Sequence, residues 1–104
     1  GKLSSYVRMY LLPHRSKKSR RETAPKHDTC DPVYEEKFEY IASLEELREC
    51  TLDVAVKNNK SKFVTRRRRN FIGQVCIPMS SLDLSKEQRV TYNLAKWTPK
   101  YTII

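Results

Sequence analysis

Residues 51–58 read TLDVAVKN, and their spacing decides the fold class. Leu52, Val54 and Val56 hold one parity, while Asp53, Ala55 and Lys57 hold the other. Side chains of a β-strand point alternately to opposite faces, so this stretch is a strand with one apolar face. The same period recurs along the chain. Val7, Met9 and Leu11 alternate with Tyr6, Arg8 and Tyr10; Tyr34, Phe38 and Tyr40 alternate with Glu35, Lys37 and Glu39. Phe71, Val75 and Ile77 share a parity, as do Val90, Tyr92 and Leu94. Each is a predicted short strand rich in β-branched or aromatic residues.

The connections LPHRS, APKHDTCDP, KNNKS and IPMSSLDLS carry strand-breaking and turn-forming residues. One segment, SLEELREC at 43–50, reads as helix: Ser43 and Glu46 stand at capping-box spacing, and Leu44 and Leu47 form a short apolar edge. There is no internal repeat, coiled-coil heptad or βαβ rhythm. Short strands at even spacing with one small helix predict an all-β fold, an antiparallel β-sandwich.

A chain of 104 residues makes one domain, with 38% hydrophobic and 32% charged residues as expected of a charged, soluble surface. No apolar run approaches the roughly 20 residues of a membrane span, and the first thirteen residues do not read as a signal peptide. Cys30, Cys50 and Cys76 form no CxxC pair, and neither His14 nor His27 stands at finger spacing to a cysteine pair. Reduced thiols and no metal site are the expectation. The net charge of +9 is divided unevenly. Residues 1–26 hold eight basic and one acidic residue, 27–53 two basic and nine acidic, and 54–104 eleven basic and two acidic. Two cationic stretches flanking an acidic one imply an anionic partner if the fold joins them.

Four segments carry a family resemblance: SSYVRMYLLP (4–13), CDPVYEEKFEY (30–40), TLDVAVKN (51–58) and NFIGQVCIPMSSLDL (70–84). In that order they resemble the SDPYVKxYLLP, NPVFNExFxF, LxVxVxD and DFIGxxxIPLxxL pieces of C2 domains. Within that family YVRMYLLP and TLDVAVKN are most similar to a C2 domain of extended synaptotagmins, with synaptotagmin-like proteins and class II phosphoinositide 3-kinases close behind. The resemblance implies a C2-like Greek-key sandwich over residues 1–95, with the family's first strand absent from the chain. Residues 96–104, KWTPKYTII, are then a C-terminal tail whose β-prone end, Tyr101–Ile104, is expected to pair with an exposed edge of this chain or of a neighbour.

Calcium-binding relatives use loop aspartates, because a hard dication needs six to eight oxygen ligands with enough negative charge. By that resemblance the ligand positions here are Ser4, Asn58, Lys60 and Asn70, none of them a carboxylate. No cofactor, and calcium in particular, is expected. The segment NNKSKFVTRRRRNFIG (58–73) falls where the family has its third top loop. Lys60, Lys62 and Arg66, Arg67, Arg68 and Arg69 are candidate phosphate binders, since guanidinium forks match phosphate oxygens. Phe63 and Val64 at the tip would enter the headgroup region. The second cluster, HRSKKSRRE, follows the strand ending in YLLP; related domains carry a phosphoinositide-binding lysine patch there. Its candidates are Lys17, Lys18, Arg20 and Arg21, with Arg8 and Lys57 as neighbours on the sheet and Pro25 expected to cut the strand short.

The residues lack a nucleophile elbow, a P-loop or a suggestive histidine motif, so no enzyme is expected. The expectation is a cytoplasmic, peripheral-membrane module that binds anionic phospholipids or phosphoinositides without calcium, within a larger membrane-trafficking or membrane-tethering protein. The alternative is that the same clusters serve an acidic protein partner, nuclear import or general polyanion binding. Nucleic acid is the weaker partner, because the clusters lack interleaved aromatics for base stacking.

Overall fold

A computed structural model describes residues 4–13, 18–59 and 71–95. Among these residues four strands form one antiparallel sheet: β1 (Ser5–Leu12), β2 (Arg21–Glu22), β3 (Thr51–Asn58) and β4 (Phe71–Pro78). Their spatial order is β2-β1-β3-β4, so β1 and β3 are central and β2 and β4 lie outermost. Among the described residues the fold is all-β and antiparallel, with one short α-helix.

Register assigns the faces. Val7 pairs with Val56 and Gly73 beyond it, Met9 with Val54 and Val75, Leu11 with Leu52 and Ile77. Directly paired residues share a face, so these form the apolar side predicted from the alternation. Tyr6 pairs with Lys57, Arg8 with Ala55 and then Gln74, and Tyr10 with Asp53 and then Cys76. These form the opposite, polar side. On the apolar side Leu11 and Ile77 are buried, whereas Val7, Met9, Leu52, Val54, Val56 and Val75 are half-buried.

Two predicted strands do not form. Residues 34–40 and 90–94 make no ladder, although Tyr34 and Leu94 each reach the sheet. The Tyr34 hydroxyl meets Ser5 Oγ at 2.5 Å. Leu94 sits so close to Gly73 that a Cβ on the glycine would lie 2.8 Å from Leu94 Cβ. A single bridge follows, with Gln74 and Ala95 exchanging backbone bonds of 3.0 and 2.8 Å. In the first segment the physical cause is Glu35, whose φ of 52° is left-handed. One such residue turns the chain and ends the two-residue repeat that a ladder needs. Side-chain bonds take over there: Glu36 Oε2 accepts the Ala24 N–H at 2.8 Å, and Tyr40 donates to the Ser19 carbonyl at 2.6 Å.

Strand β2 is only two residues long. Beyond it the Thr23 N–H donates to the Val7 carbonyl at 2.9 Å and the Val7 N–H to Thr23 Oγ1 at 2.9 Å, and a further bridge joins Ser5 and Lys26. Three residues, Thr23 to Pro25, thus face two on β1, which is a bulge. Pro25, which has no N–H to give, sits inside it. The helix α1 spans Leu44–Arg48, shorter than the 43–50 reading, and the Ser43 hydroxyl accepts the Glu46 N–H at 3.1 Å. Glu45 and Glu46 in its first turn and Arg48 in its last suit the helix dipole. A 3-10 turn, Met79–Ser81, follows β4 and packs beside α1.

Candidate functional site

The described members of the sequence-predicted site are spread over one end of the sheet, its polar face, and β2 with its approach. At that end Ser5 pairs with Asn58, and the Asn59 N–H donates to the Ser4 carbonyl at 2.6 Å. Ser4 and Asn58 therefore lie at the same end of the sheet, one register position apart, with Ser5 the direct partner of Asn58. Ser4 is 3% exposed and offers a hydroxyl; Asn58 offers an amide. Lys26 enters the same end through its bridge to Ser5. Among the described residues no group of three or more His, Cys, Asp or Glu side chains is arranged to hold a metal ion. Lys17, Lys60, Lys62, Phe63, Val64, Arg66, Arg67, Arg68, Arg69 and Asn70 lie outside the described residues, as does the 96–104 tail.

The polar face carries Tyr6, Arg8 and Tyr10 of β1, Asp53 and Lys57 of β3, and Gln74 of β4. Glu22 of β2 lies directly opposite Arg8. Arg8 Nε donates to Glu22 Oε2 at 2.6 Å, and its Nη2 donates to the Tyr6 hydroxyl at 3.3 Å. Partial burial is the largest single influence on Arg8 and opposes its charge. The Glu22 bond and the nearby Tyr6, Glu22 and Tyr10 groups together outweigh it, holding the guanidinium above its ordinary pKa. Asp53 is 3% exposed and accepts from Gln74 Nε2 at 2.5 Å and from Cys76 Sγ at 3.8 Å. This carboxylate belongs to the fabric of the face.

The cations of β2 and its approach do not act as one unit. Arg21 pairs with Met9, one residue out of phase with Glu22, and so belongs to the apolar parity. Its Nη1 donates to the carbonyls of Lys18 and Arg20 at 3.0 and 3.1 Å, and its Nη2 to that of Glu39 at 3.0 Å. The guanidinium carbon also stands 4.4 Å from the centre of the Tyr40 ring. Burial raises the Tyr40 phenol pKa, and the adjacent Arg21 charge works against that rise. Arg21 thus fastens the 39–40 segment to the sheet edge. Lys18 is exposed and Arg20 half-buried. Lys18, Arg21, Glu39, Tyr40, Glu46 and Cys50 border an open cavity of about 780 Å³ between α1 and the β1–β2 end.

Sequence reasoning missed Glu22 and Tyr6 as partners of Arg8. The glutamate was visible at the end of HRSKKSRRE, but only the β1–β2 register places it on the Arg8 face. It likewise missed the Arg21–Tyr40 stack, which joins residues nineteen positions apart.

Comparison with known proteins agrees with this architecture. The chain is 40% identical to human extended synaptotagmin-3 over 89 residues, covering 86% of the chain and 10% of that relative. It is 37% identical to human extended synaptotagmin-2 over 91 residues, covering 88% and 10%. The chain therefore spans about a tenth of the length of these relatives. Among solved structures, the third C2 domain of KIAA1228 protein superposes with a TM-score of 0.79 at 34% identity, covering 96% of this chain and 67% of that one. A C2 domain of RIM from Drosophila gives 0.72 at 29% identity, covering 83% and 66%. A sequence model described as the C2 domain matches residues 1–94, and with the sheet, its order and these relatives in accord, the chain belongs to the C2 domain family.

Proposed function

We propose that this C2 domain docks on anionic phospholipid or phosphoinositide surfaces without calcium, as part of a larger membrane-tethering or membrane-trafficking protein of the extended-synaptotagmin kind. The observation that carries the reading is that Ser4 and Asn58, the described positions where the resemblance puts calcium-ligating carboxylates, lie at the same end of the sheet and are a buried serine and an amide. Neutral groups there supply too little negative charge for a dication. The segment leaving β3 at that end carries Lys60, Lys62 and Arg66–Arg69, permanent cations that need no metal to meet phosphate. Near an anionic leaflet each adds on the order of 1 kcal/mol. Lys18, Arg20, Arg8 and Lys57 extend the cationic surface along the sheet, with Phe63 as an apolar contact; Arg21 contributes chiefly by holding the 39–40 segment in place.

Vesicle co-sedimentation tests the proposal. In EDTA the domain is expected to bind phosphatidylserine vesicles, more tightly with phosphatidylinositol bisphosphate added, and calcium is expected to change neither. Replacing Arg66–Arg69 by glutamine should release most of it. Binding that needs calcium, or equal binding to heparin, DNA and bisphosphate vesicles, would overturn the lipid-specific, calcium-independent reading.

A further inference from the structure

We infer that the cleft between α1 and the β1–β2 end docks a basic peptide segment of another protein, one that carries an apolar side chain between lysines or arginines. The inference goes beyond the membrane docking and does not depend on it. The cleft measures about 780 Å³, within the roughly 300–1,000 Å³ of sites that enclose ligand groups. Its apolar lining comes from Leu11 and Pro13 at the end of β1, from Ile41 and Ala42, and from Cys50. Leu11 and Cys50 are buried, whereas Ile41 is 99% exposed. A large aliphatic side chain left uncovered beside an apolar cleft is surface that a partner can bury.

Charge around the cleft selects the occupant. Glu46, Glu49 and Cys50 stand at i, i+3 and i+4, so they share the side of α1 and its C-cap that borders the cleft. Glu39 borders it as well. All three carboxylates are exposed, and among the described residues none of them enters an ion pair. The cations on the opposite border are engaged already: Lys18 has a contact of its own, and Arg21 is spent on three carbonyls and the Tyr40 ring. The uncommitted charge is therefore negative. A lysine or arginine of the occupant meets these carboxylates while its apolar neighbour covers Ile41 and enters the cleft; an acidic segment would be repelled. The cleft lies at the Leu12 end of β1, opposite the Ser4 and Asn58 end, with eight strand residues or roughly 25 Å between them. A domain seated on a membrane by that far end would leave the cleft open to a partner.

The test measures, by fluorescence anisotropy, how the domain binds three labelled, end-capped peptides. One has phenylalanine and leucine between lysines and arginines, one has alanines in place of the two apolar residues, and one has glutamates in place of the basic residues. The first is expected to bind, and the other two to bind at least about tenfold more weakly. Ile41→Ser, at a side chain outside the core, should weaken the first peptide by about tenfold, and Glu46→Gln/Glu49→Gln by about fivefold. Glu87→Gln, which removes an exposed carboxylate away from the cleft, should change it little. Loss of peptide binding in Ile41→Ser with vesicle binding unchanged supports a separate protein-docking site. Equal binding of the basic and acidic peptides, or full binding by both cleft variants, would overturn the assignment. So would self-association of the domain that Ile41→Ser abolishes in sedimentation velocity, which makes a second copy the occupant. Loss of vesicle binding in Ile41→Ser would likewise overturn it, by turning the cleft toward the bilayer.

Discussion

Glu35 shows how one residue can undo a pattern that its neighbours share. Tyr34, Phe38 and Tyr40 keep strict alternation, yet the φ of 52° at Glu35 turns the backbone out of the extended region. An L-residue with a Cβ pays roughly 1–2 kcal/mol for that conformation, whereas glycine adopts it freely. The family piece NPVFNExFxF has asparagine at this place, a residue that also tolerates left-handed φ. Glu35→Gly is therefore expected to stabilise the domain by about 0.5–1 kcal/mol, after allowing for the greater freedom glycine gives the unfolded chain. A urea midpoint that moves upward with an unchanged slope supports this; a lower midpoint would mean that the exposed Glu35 side chain stabilises the fold more than its backbone strains it. Asp53 is the converse case. Its place in TLDVAVKN suggests a solvent-facing charge, but it is buried and bonded to Gln74, because β4 supplies an amide across the strand that the local sequence does not reveal.

Among the elements, those legible in the sequence were the ones whose partners are generic. Strands β1, β3 and β4 and the Ser43 cap need only alternation and a hydroxyl at the right offset, and each is found where its residues indicated. The edges were less legible because they depend on particular contacts. Pro25 correctly announced a short β2, but not that Thr23 would fill the gap by accepting the Val7 N–H through its side chain. Thr23→Val keeps the shape and removes that acceptor, and is expected to cost about 1 kcal/mol; hydrogen exchange should speed at the Val7 amide and leave the β3–β4 amides protected. At the other edge, the closeness of Leu94 to Gly73 permits the Gln74–Ala95 bridge. Gly73→Ala forces Leu94 away and is expected to cost about 1–3 kcal/mol, as overpacking does. Its signature would be faster exchange at the Ala95 and Gln74 amides, and unchanged protection there would show that the 94–95 segment shifts without loss. The candidate site divides the same way: its residue types could be read from the chain, whereas the face each occupies follows from strand pairing.

For the molecule as a whole, charge layout and sheet geometry act together. The acidic block 27–53 supplies the 39–40 segment held by Arg21, the helix α1 and the buried Asp53, so several of its groups serve the fold's own contacts. The basic blocks supply the cations proposed to meet the membrane, and their net charge reaches outward. Attraction of this kind is screened over a Debye length, which shrinks from about 10 Å at 0.1 M salt to about 3 Å at 1 M. Contacts made by burying apolar side chains in the headgroup region respond far less to salt. Binding to anionic vesicles is therefore expected to fall by more than about tenfold when salt is raised from 0.1 M to 0.5 M, since several contacts of about 1 kcal/mol each weaken together. The part that survives measures the apolar contribution, of which Phe63 is the candidate source, and Phe63→Ala should remove it while leaving the salt-sensitive part in place. Binding indifferent to salt would contradict an electrostatic dock, and would shift the weight from the arginine and lysine clusters to the half-buried apolar side of the sheet.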